Sequence, residues 1–270
     1  MIVSSVRALS LFLIATASLS GVSASARDSG GHVSVTLLSS TDQPRPGQTF
    51  LVGFRMIPKA GWHTYWSNPG ESGLPPSATW QAPRGPQFGA LLHPAPTVLK
   101  VAGMTSYVHA GEHVLLSRVR LSPALKPGTQ LPIKARLSWA ACSDSLCVPQ
   151  NATFELNLLV GNGGPNSAAG LLKVAQGRVP RLLGEGRFDV QHNLLRLRLP
   201  TIARIDPRRA RFFPDENEIL VASPVRMRVA QGRTEILARR SGRAVPRRIS
   251  GVLSDGRNQY RLTFNRATSR

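Results

Sequence analysis

The feature that most constrains this chain is a pair of cysteines, Cys142 and Cys147, placed where one alternating apolar pattern stops and the next begins. Upstream, Ile133, Ala135, Leu137 and Trp139 alternate with Lys134, Arg136 and Ser138; downstream, Phe154, Leu156, Leu158 and Val160 alternate in the same way. A period of two marks a strand buried on one face. The cysteines therefore lie on or beside the connection between two neighbouring strands. Four residues separate them, which is not the Cys-x-x-Cys of a thioredoxin-type helix, and two thiols alone do not make a zinc site of the usual kind.

As a staple such a pair is weak. Closing a ring of about six residues is worth roughly 2 kcal/mol, against more than about 4 kcal/mol for a crosslink spanning about a hundred. A short ring held in strands opens and closes without unfolding its surroundings, which suits a disulfide that is made and broken in turn. The spacing thus favours a redox pair, with a permanent structural bridge as the alternative. Asp144, between the cysteines, opposes thiol ionisation if it lies close, and no cation in the motif offsets it.

Residues 1–26 read as a secretory signal: Arg7 is the positive start, Leu9 to Ala17 the apolar core, and Ala24-Ser-Ala26 the small-residue cleavage site. No later segment approaches eighteen apolar residues in a row, so no stable membrane anchor is expected. Export implies an oxidising compartment, where a reduced pair needs an external electron supply.

The remaining length suggests two units, 27–160 and 171–270, joined by a linker at 161–170 rich in Gly, Pro and Asn. The first reads as a β-sandwich. Val33, Val35 and Leu37 alternate, residues 42–47 turn, Phe50 to Ile57 form a strand containing Gly53, and Val114 to Leu121 form another. Residues 83–111 read as irregular. Trp62, Tyr65, Trp66 and Trp80 form either a core layer or an aromatic surface; core is favoured, and His63 and Trp66 are the candidate contacts if part of the span faces a partner. The second unit begins with one or two helical turns near Leu171 to Ala175. It continues as strands around Leu195 to Leu199, Ile219 to Ala222 paired with Val225 to Val229, and Tyr260 to Phe264, with a turn at Arg211 to Glu216. The expected class is all-β, a sandwich followed by a smaller β-rich domain.

Several motifs together resemble the periplasmic amino-terminal region of the thiol:disulfide interchange protein DsbD family, in its ScsB-like, copper-sensitivity-suppressor branch. They are Gly61-Trp-His-Thr-Tyr-Trp-Ser-Asn-Pro-Gly-Glu-Ser-Gly-Leu-Pro-Pro76, Val101-Ala-Gly-Met-Thr-Ser-Tyr107, Cys142-x4-Cys147-Val-Pro149 and Phe212-Phe-Pro-Asp215. The resemblance implies an immunoglobulin-like domain in the periplasm. Its cysteines would take electrons from a membrane-embedded donor and pass them to thioredoxin-like oxidoreductases. By position, Cys142 and Cys147 are the catalytic pair, and Cys147 is the thiol that forms mixed disulfides. The segment from Met104 to His109 falls at the family's shielding flap, which makes Tyr107, with Met104, the expected shielding or positioning residue. The best-studied members have one more residue between their cysteines. They also continue into a transmembrane channel and a thioredoxin-like domain, so this chain is expected either to draw electrons from a separate membrane protein or to have lost the relay role.

His63, His109, His113 and Met104 could join the cysteines in a soft-metal site. His63 reads instead as a packed ring, and His109 and His113 as solvated turn residues, so neither metal nor other cofactor is expected. Charge is uneven: residues 27–162 carry 11 Lys or Arg against 6 Asp or Glu, whereas residues 163–270 carry 22 against 8. Nucleic acid is not the expected partner, because the basic residues alternate along strands without interleaved stacking aromatics. They read as a solvated face, an anionic membrane surface or an acidic partner's site. Motifs for hydrolases, zinc peptidases, phosphate loops and dinucleotide binding are absent from the sequence. A non-catalytic β-sandwich adaptor with a structural disulfide remains the alternative to a redox carrier.

Overall fold

Alternation in the first half of the chain is realised as eleven strands. They are β1 (Ala26–Asp28), β2 (Val33–Ser39), β3 (Thr49–Pro58), β4 (Thr64–Gly70), β5 (Ser77–Gln81), β6 (Pro86–Phe88), β7 (Thr97–Val101), β8 (Met104–His109), β9 (His113–Leu121), β10 (Gln130–Cys142) and β11 (Cys147–Leu159). One helix, α1 (Ala169–Gly177), follows. Then come β12 (Arg181–Gln191), β13 (Leu194–Pro200), β14 (Arg211–Pro214), β15 (Arg226–Ala230), β16 (Arg233–Arg239), β17 (Arg248–Ser254) and β18 (Gln259–Arg266). The structure is a computed structural model that describes residues 26–28, 31–101, 103–200, 202, 204–216, 219–220 and 225–267. The expected signal segment lies outside the described residues except for Ala26. Among the described residues no helix is long and apolar enough to cross a membrane.

Two sheets form the sandwich, in the orders β1-β2-β3-β9-β6 and β11-β10-β5. Their facing residues, including Leu37, Val52 and Phe54 on one side and Ile133, Leu137, Phe154 and Leu156 on the other, make one buried cluster. Each such side chain contributes about 1.5–3 kcal/mol when fully buried, so the alternation seen in sequence accounts directly for the sandwich. The outer face of the first sheet is covered by α1. Leu172 and Ala175 pack on Val114 and Leu116, and Gly53 makes room, since a Cβ there would stand 2.8 Å from both Leu172 and Val114. The helix expected to open the second unit thus lies on the first.

A third sheet, β4-β8-β7, stands over the end of the sandwich. It occupies much of the stretch expected to be irregular, residues 83–111, which also contributes β6 to the first sheet. The strands are short and interrupted by prolines and glycines, so no period is readable there. The β4–β8 pairing slips between Tyr65 and Gly70, where Asn68 and Pro69 intervene. Pro69 has no N–H for a ladder, and the Asn68 side-chain oxygen accepts the Gly70 N–H at 2.9 Å instead.

The second unit is one seven-stranded sheet, β14-β17-β18-β12-β13-β16-β15. It is antiparallel except between β12 and β18. Its inner face gathers Phe188, Leu197, Ile236, Ile249, Leu262 and Phe264 into a single cluster with Ile202, Ile205 and Ile219 from the connecting segment, and the sheet curls around them. Two expectations change. Residues 211–214 form β14 and not a turn, because Phe212 and Phe213 are buried on opposite faces. β15 pairs with β16 and not with residues 219–222, of which 221 and 222 lie outside the described residues.

Candidate active site at the end of the β10–β11 hairpin

β10 and β11 pair without interruption from Gln130 opposite Leu159 to Cys142 opposite Cys147. The turn between them is closed by the Ser143 N–H donating to the Leu146 carbonyl at 2.8 Å and by the Leu146 N–H donating to Ser143 Oγ at 3.1 Å. In an antiparallel ladder the pair after a hydrogen-bonded one brings its side chains closest. That is the cysteine pair: its Cα atoms are 4.1 Å apart and its sulfurs are bonded. No free cysteine is present.

The two sulfurs are not equivalent. Cys142 is 1% exposed. It is also paired along its other edge with His63, whose N–H donates to the Cys142 carbonyl at 2.8 Å while the Cys142 N–H donates back at 3.0 Å. Cys147 begins β11, an edge strand of its sheet, and is exposed. The Cys147 sulfur is thus the one open to an incoming group, and the Cys142 sulfur is the one enclosed in the core.

Over the pair lies Tyr65, 3% exposed, which packs with Val108, Ala140 and Cys142. Its Oη is 3.7 Å from Cys147 Sγ. Burial raises the phenol pKa, against the opposing effect of a hydrogen bond with Ser72, so Tyr65 keeps its proton and can donate it. Gly73, at φ +103°, is needed to seat the ring, since a Cβ there would lie 2.2 Å from it. The turn carrying Gly73 is tied to β8: the Thr105 N–H donates to Glu71 Oε2 at 2.6 Å, and the Ser72 and Ser106 hydroxyls are 2.9 Å apart.

The expected site residues divide. Met104 lies at the tip of the β7–β8 hairpin, 45% exposed, on the same face of β8 as Val108, and so on the side that covers Cys142. Tyr107 is on the opposite face, against Trp66, Phe213 and Val252. Its burial pushes the phenol up to about 12, and Tyr65 has the position over the disulfide that Tyr107 was expected to fill. His63 and Trp66 do not form a partner surface, because both are buried. The third sheet is covered on two sides, by the cysteine hairpin and by the second unit. His63 lies edge-on to Tyr65 at 5.4 Å; its pKa is lowered by burial, with Asp144 acting weakly the other way. The signal for Tyr65 was its alternation with Thr64 and Trp66, which sets it on the face opposite Trp66.

The second unit is locked to the flap sheet. Phe213 meets Trp66 at 6.2 Å and Tyr107 at 5.2 Å, and Asn68 Nδ2 donates to the Pro214 carbonyl at 2.7 Å. Beside this seam His109 and His113, expected to be solvated, are buried in a stack with His93, at 4.5 Å between His109 and His113 and 6.3 Å between His93 and His109. Burial, then mutual repulsion, lowers the pKa of His93 to about 3 and that of His109 well below its usual value. Burial lowers His113 to about 4. His113 Nε2 is 3.1 Å from Thr64 Oγ1, next to Tyr65 on β4. Among the described residues no three His, Cys, Asp or Glu side chains converge as metal ligands.

The strand-end disulfide, with one sulfur covered and one open, together with the matches that follow, points to the thiol–disulfide exchange family. Residues 35–159 match the family model for the thiol:disulfide interchange protein DsbD, N-terminal, and this part of the chain is a DsbD-like amino-terminal domain. The crystal structure of the N-terminal periplasmic domain of ScsB from Proteus mirabilis aligns with a TM-score of 0.63 and 18% identity, over 88% of this chain and 94% of that one. That likeness extends the shared fold into the second unit. A chimeric titin Z1Z2 aligns at 12% identity over 91% of this chain and all of its own, with a TM-score of 0.21 that carries no structural weight. No curated protein matches the sequence.

Proposed function

We propose that this chain is a periplasmic thiol–disulfide exchange protein that relays electrons from a membrane-embedded reductase to thioredoxin-like oxidoreductases. The observation that carries the reading is the asymmetry of the pair: Cys147 is open with the Tyr65 hydroxyl beside it, and Cys142 is enclosed. A donor thiolate attacks Cys147 Sγ, a donor–Cys147 bond forms, and the Cys142–Cys147 bond breaks with its electron pair left on Cys142. The donor's second thiol then attacks its own sulfur in the mixed disulfide and releases Cys147. Two electrons and two protons have then passed to the pair, and the donor is left as a disulfide. In the forward half Cys147 attacks an acceptor disulfide and Cys142 resolves the adduct.

Attack by Cys147 needs its thiolate. No cation lies in the motif, and the Tyr65 O–H supplies the stabilising donor in its place. The enclosed Cys142 keeps its side of the exchange away from unrelated thiols. The test is a trap: in Cys142→Ser, Cys147 has no resolving partner and should accumulate in a dithiothreitol-sensitive adduct with one or a few periplasmic proteins, identifiable by mass. The same extract with Cys147→Ser should give none. Absence of adducts from Cys142→Ser under conditions where it is folded and its thiol is free would overturn the proposal.

A further inference from the structure

We infer that the outer face of the second unit's sheet is a docking surface for a bilayer rich in anionic phospholipid. From Arg178 to Arg270 the chain has 21 arginines and no lysine. On β12, β13, β16 and β15 the inward positions are mostly apolar, and about half of the outward ones are Arg, set among Asp189, Gln191, Leu194, Glu235 and Leu237. The pairing registers place Arg187 opposite Arg198, Arg198 opposite Glu235, and Glu235 opposite Arg228, in one row across four strands. Arg226, Arg233 and Arg239 stand on the same face in neighbouring rows.

The carboxylates of this face are already engaged: Asp189 with Arg198, Glu235 with Arg196 at 3.3 Å, and Glu185, which shares the groove of Arg187, with Arg248 at 3.3 Å. Arg187, Arg226, Arg228, Arg233 and Arg239 have no carboxylate partner among the described residues. Like charges directly opposite on a ladder are destabilising; Asp189 answers Arg198, while Arg187 opposite it has no carboxylate partner among the described residues and is open to a counter-charge from outside the chain. Arg187, Arg198 and Arg233 also line a groove of about 660 Å³, where guanidinium forks can take phosphate oxygens two at a time.

Three points favour lipid over an acidic protein. Strands about 4.8 Å apart, with same-face residues about 6.8 Å apart along each, make a regular charge lattice that suits many equivalent phosphates. Leu194 and Leu237, its central apolar residues, are half-buried, and among the described residues the face has no exposed aromatic anchor of the kind that centres a protein interface. The sheet curls around its core, so this half turns away from the half that Phe213 and Val252 pack against the flap, leaving it open to a broad surface.

The experiment is co-sedimentation of the mature chain with vesicles of phosphatidylcholine alone or with about one third phosphatidylglycerol. Binding is expected to the anionic vesicles alone, and to be lost between about 50 mM and about 500 mM salt. R187Q/R226Q/R228Q/R233Q should weaken it by at least about tenfold, at roughly one favourable charge contact per residue. R226Q/R228Q, confined to an edge strand and so safe for folding, should weaken it by a smaller factor, at least about threefold. R118Q/R120Q, on the exposed surface of the first unit, should leave it unchanged. Equal binding to both vesicle types, no binding to anionic vesicles at low salt, or an equal loss in R118Q/R120Q would each overturn the inference. So would binding to polyglutamate without vesicle binding, which would assign the face to an acidic protein. Free glycerophosphate that competes at concentrations comparable to the lipid headgroup would show an isolated phosphate site and also overturn it.

Discussion

Tyr65 and Trp66 are consecutive on β4 and face opposite ways: the Tyr65 hydroxyl lies 3.7 Å from Cys147 Sγ, and the Trp66 indole packs 6.2 Å from the Phe213 ring of the second unit. One strand thus serves the redox pair with one face and anchors the flap with the other. The second unit fixes where the flap stands, and the flap fixes the phenol over the sulfur.

Tyr65→Phe should leave the fold intact and slow exchange. A hydrogen bond to a charged group is worth about 1.5–3 kcal/mol, discounted here for the long contact, so its loss should disfavour the Cys147 thiolate. Iodoacetamide alkylation of the reduced protein should slow about threefold or more near neutral pH. An unchanged alkylation rate would remove Tyr65 from the chemistry.

Gly73→Ala should act on the same group through packing. With φ at +103° and a Cβ 2.2 Å from the Tyr65 ring, the substitution forces strain and displaces the phenol. A stability loss of about 1–3 kcal/mol should accompany a rate defect close to that of Tyr65→Phe. Urea melts and exchange kinetics on the same sample separate the two effects.

The sandwich was legible because several of its strands keep a strict alternation, as in β2 and in β10, where every second residue from Leu131 to Leu137 is buried. The cysteine hairpin was legible for the same reason. The flap was not. β7 and β8 are five and six residues long, and β8 is buried on both faces after Met104, so no period distinguishes its two sides. Without that period Tyr107 could not be told from a neighbour facing the disulfide, and the burial of Trp66 by Phe213, 147 positions later in the chain, left no local trace. The histidine stack was hidden too, since His93 has no pattern of its own and joins His109 and His113 through the tertiary fold alone.

Trp66→Ala and Phe213→Ala should each cost about 3–5 kcal/mol. Because the rings touch, the double mutant should cost clearly less than the two losses together. Denaturant unfolding of the four proteins in the cycle gives the coupling energy. A value near zero would mean that the second unit does not hold the flap.

Acid should destabilise the protein through the histidine stack. The folded pKa values of His93 and His113, about 3 and about 4, lie below the unfolded value of about 6.5, so below that pH the unfolded chain binds more protons. The stabilisation is complete above about pH 6.5 and is lost as pH falls toward about 4, by a few kcal/mol. His109→Phe, which removes the middle ring, should flatten the dependence of the melting temperature on pH between about 6.5 and 4. A slope identical to that of the parent would show that the stack does not couple to folding.

On the proposed function, the Cys142–Cys147 bond is made and broken while the sandwich stays folded. It is tested most directly by equilibrating the protein with a dithiol redox buffer series and following the reduced fraction by thiol alkylation, with circular dichroism read on the same samples. The account predicts a reversible two-electron transition between about −120 and −270 mV, the span of known exchange proteins, with an unchanged β spectrum. A midpoint below about −300 mV, or loss of the β signal on reduction, would contradict it and leave the disulfide a structural bridge.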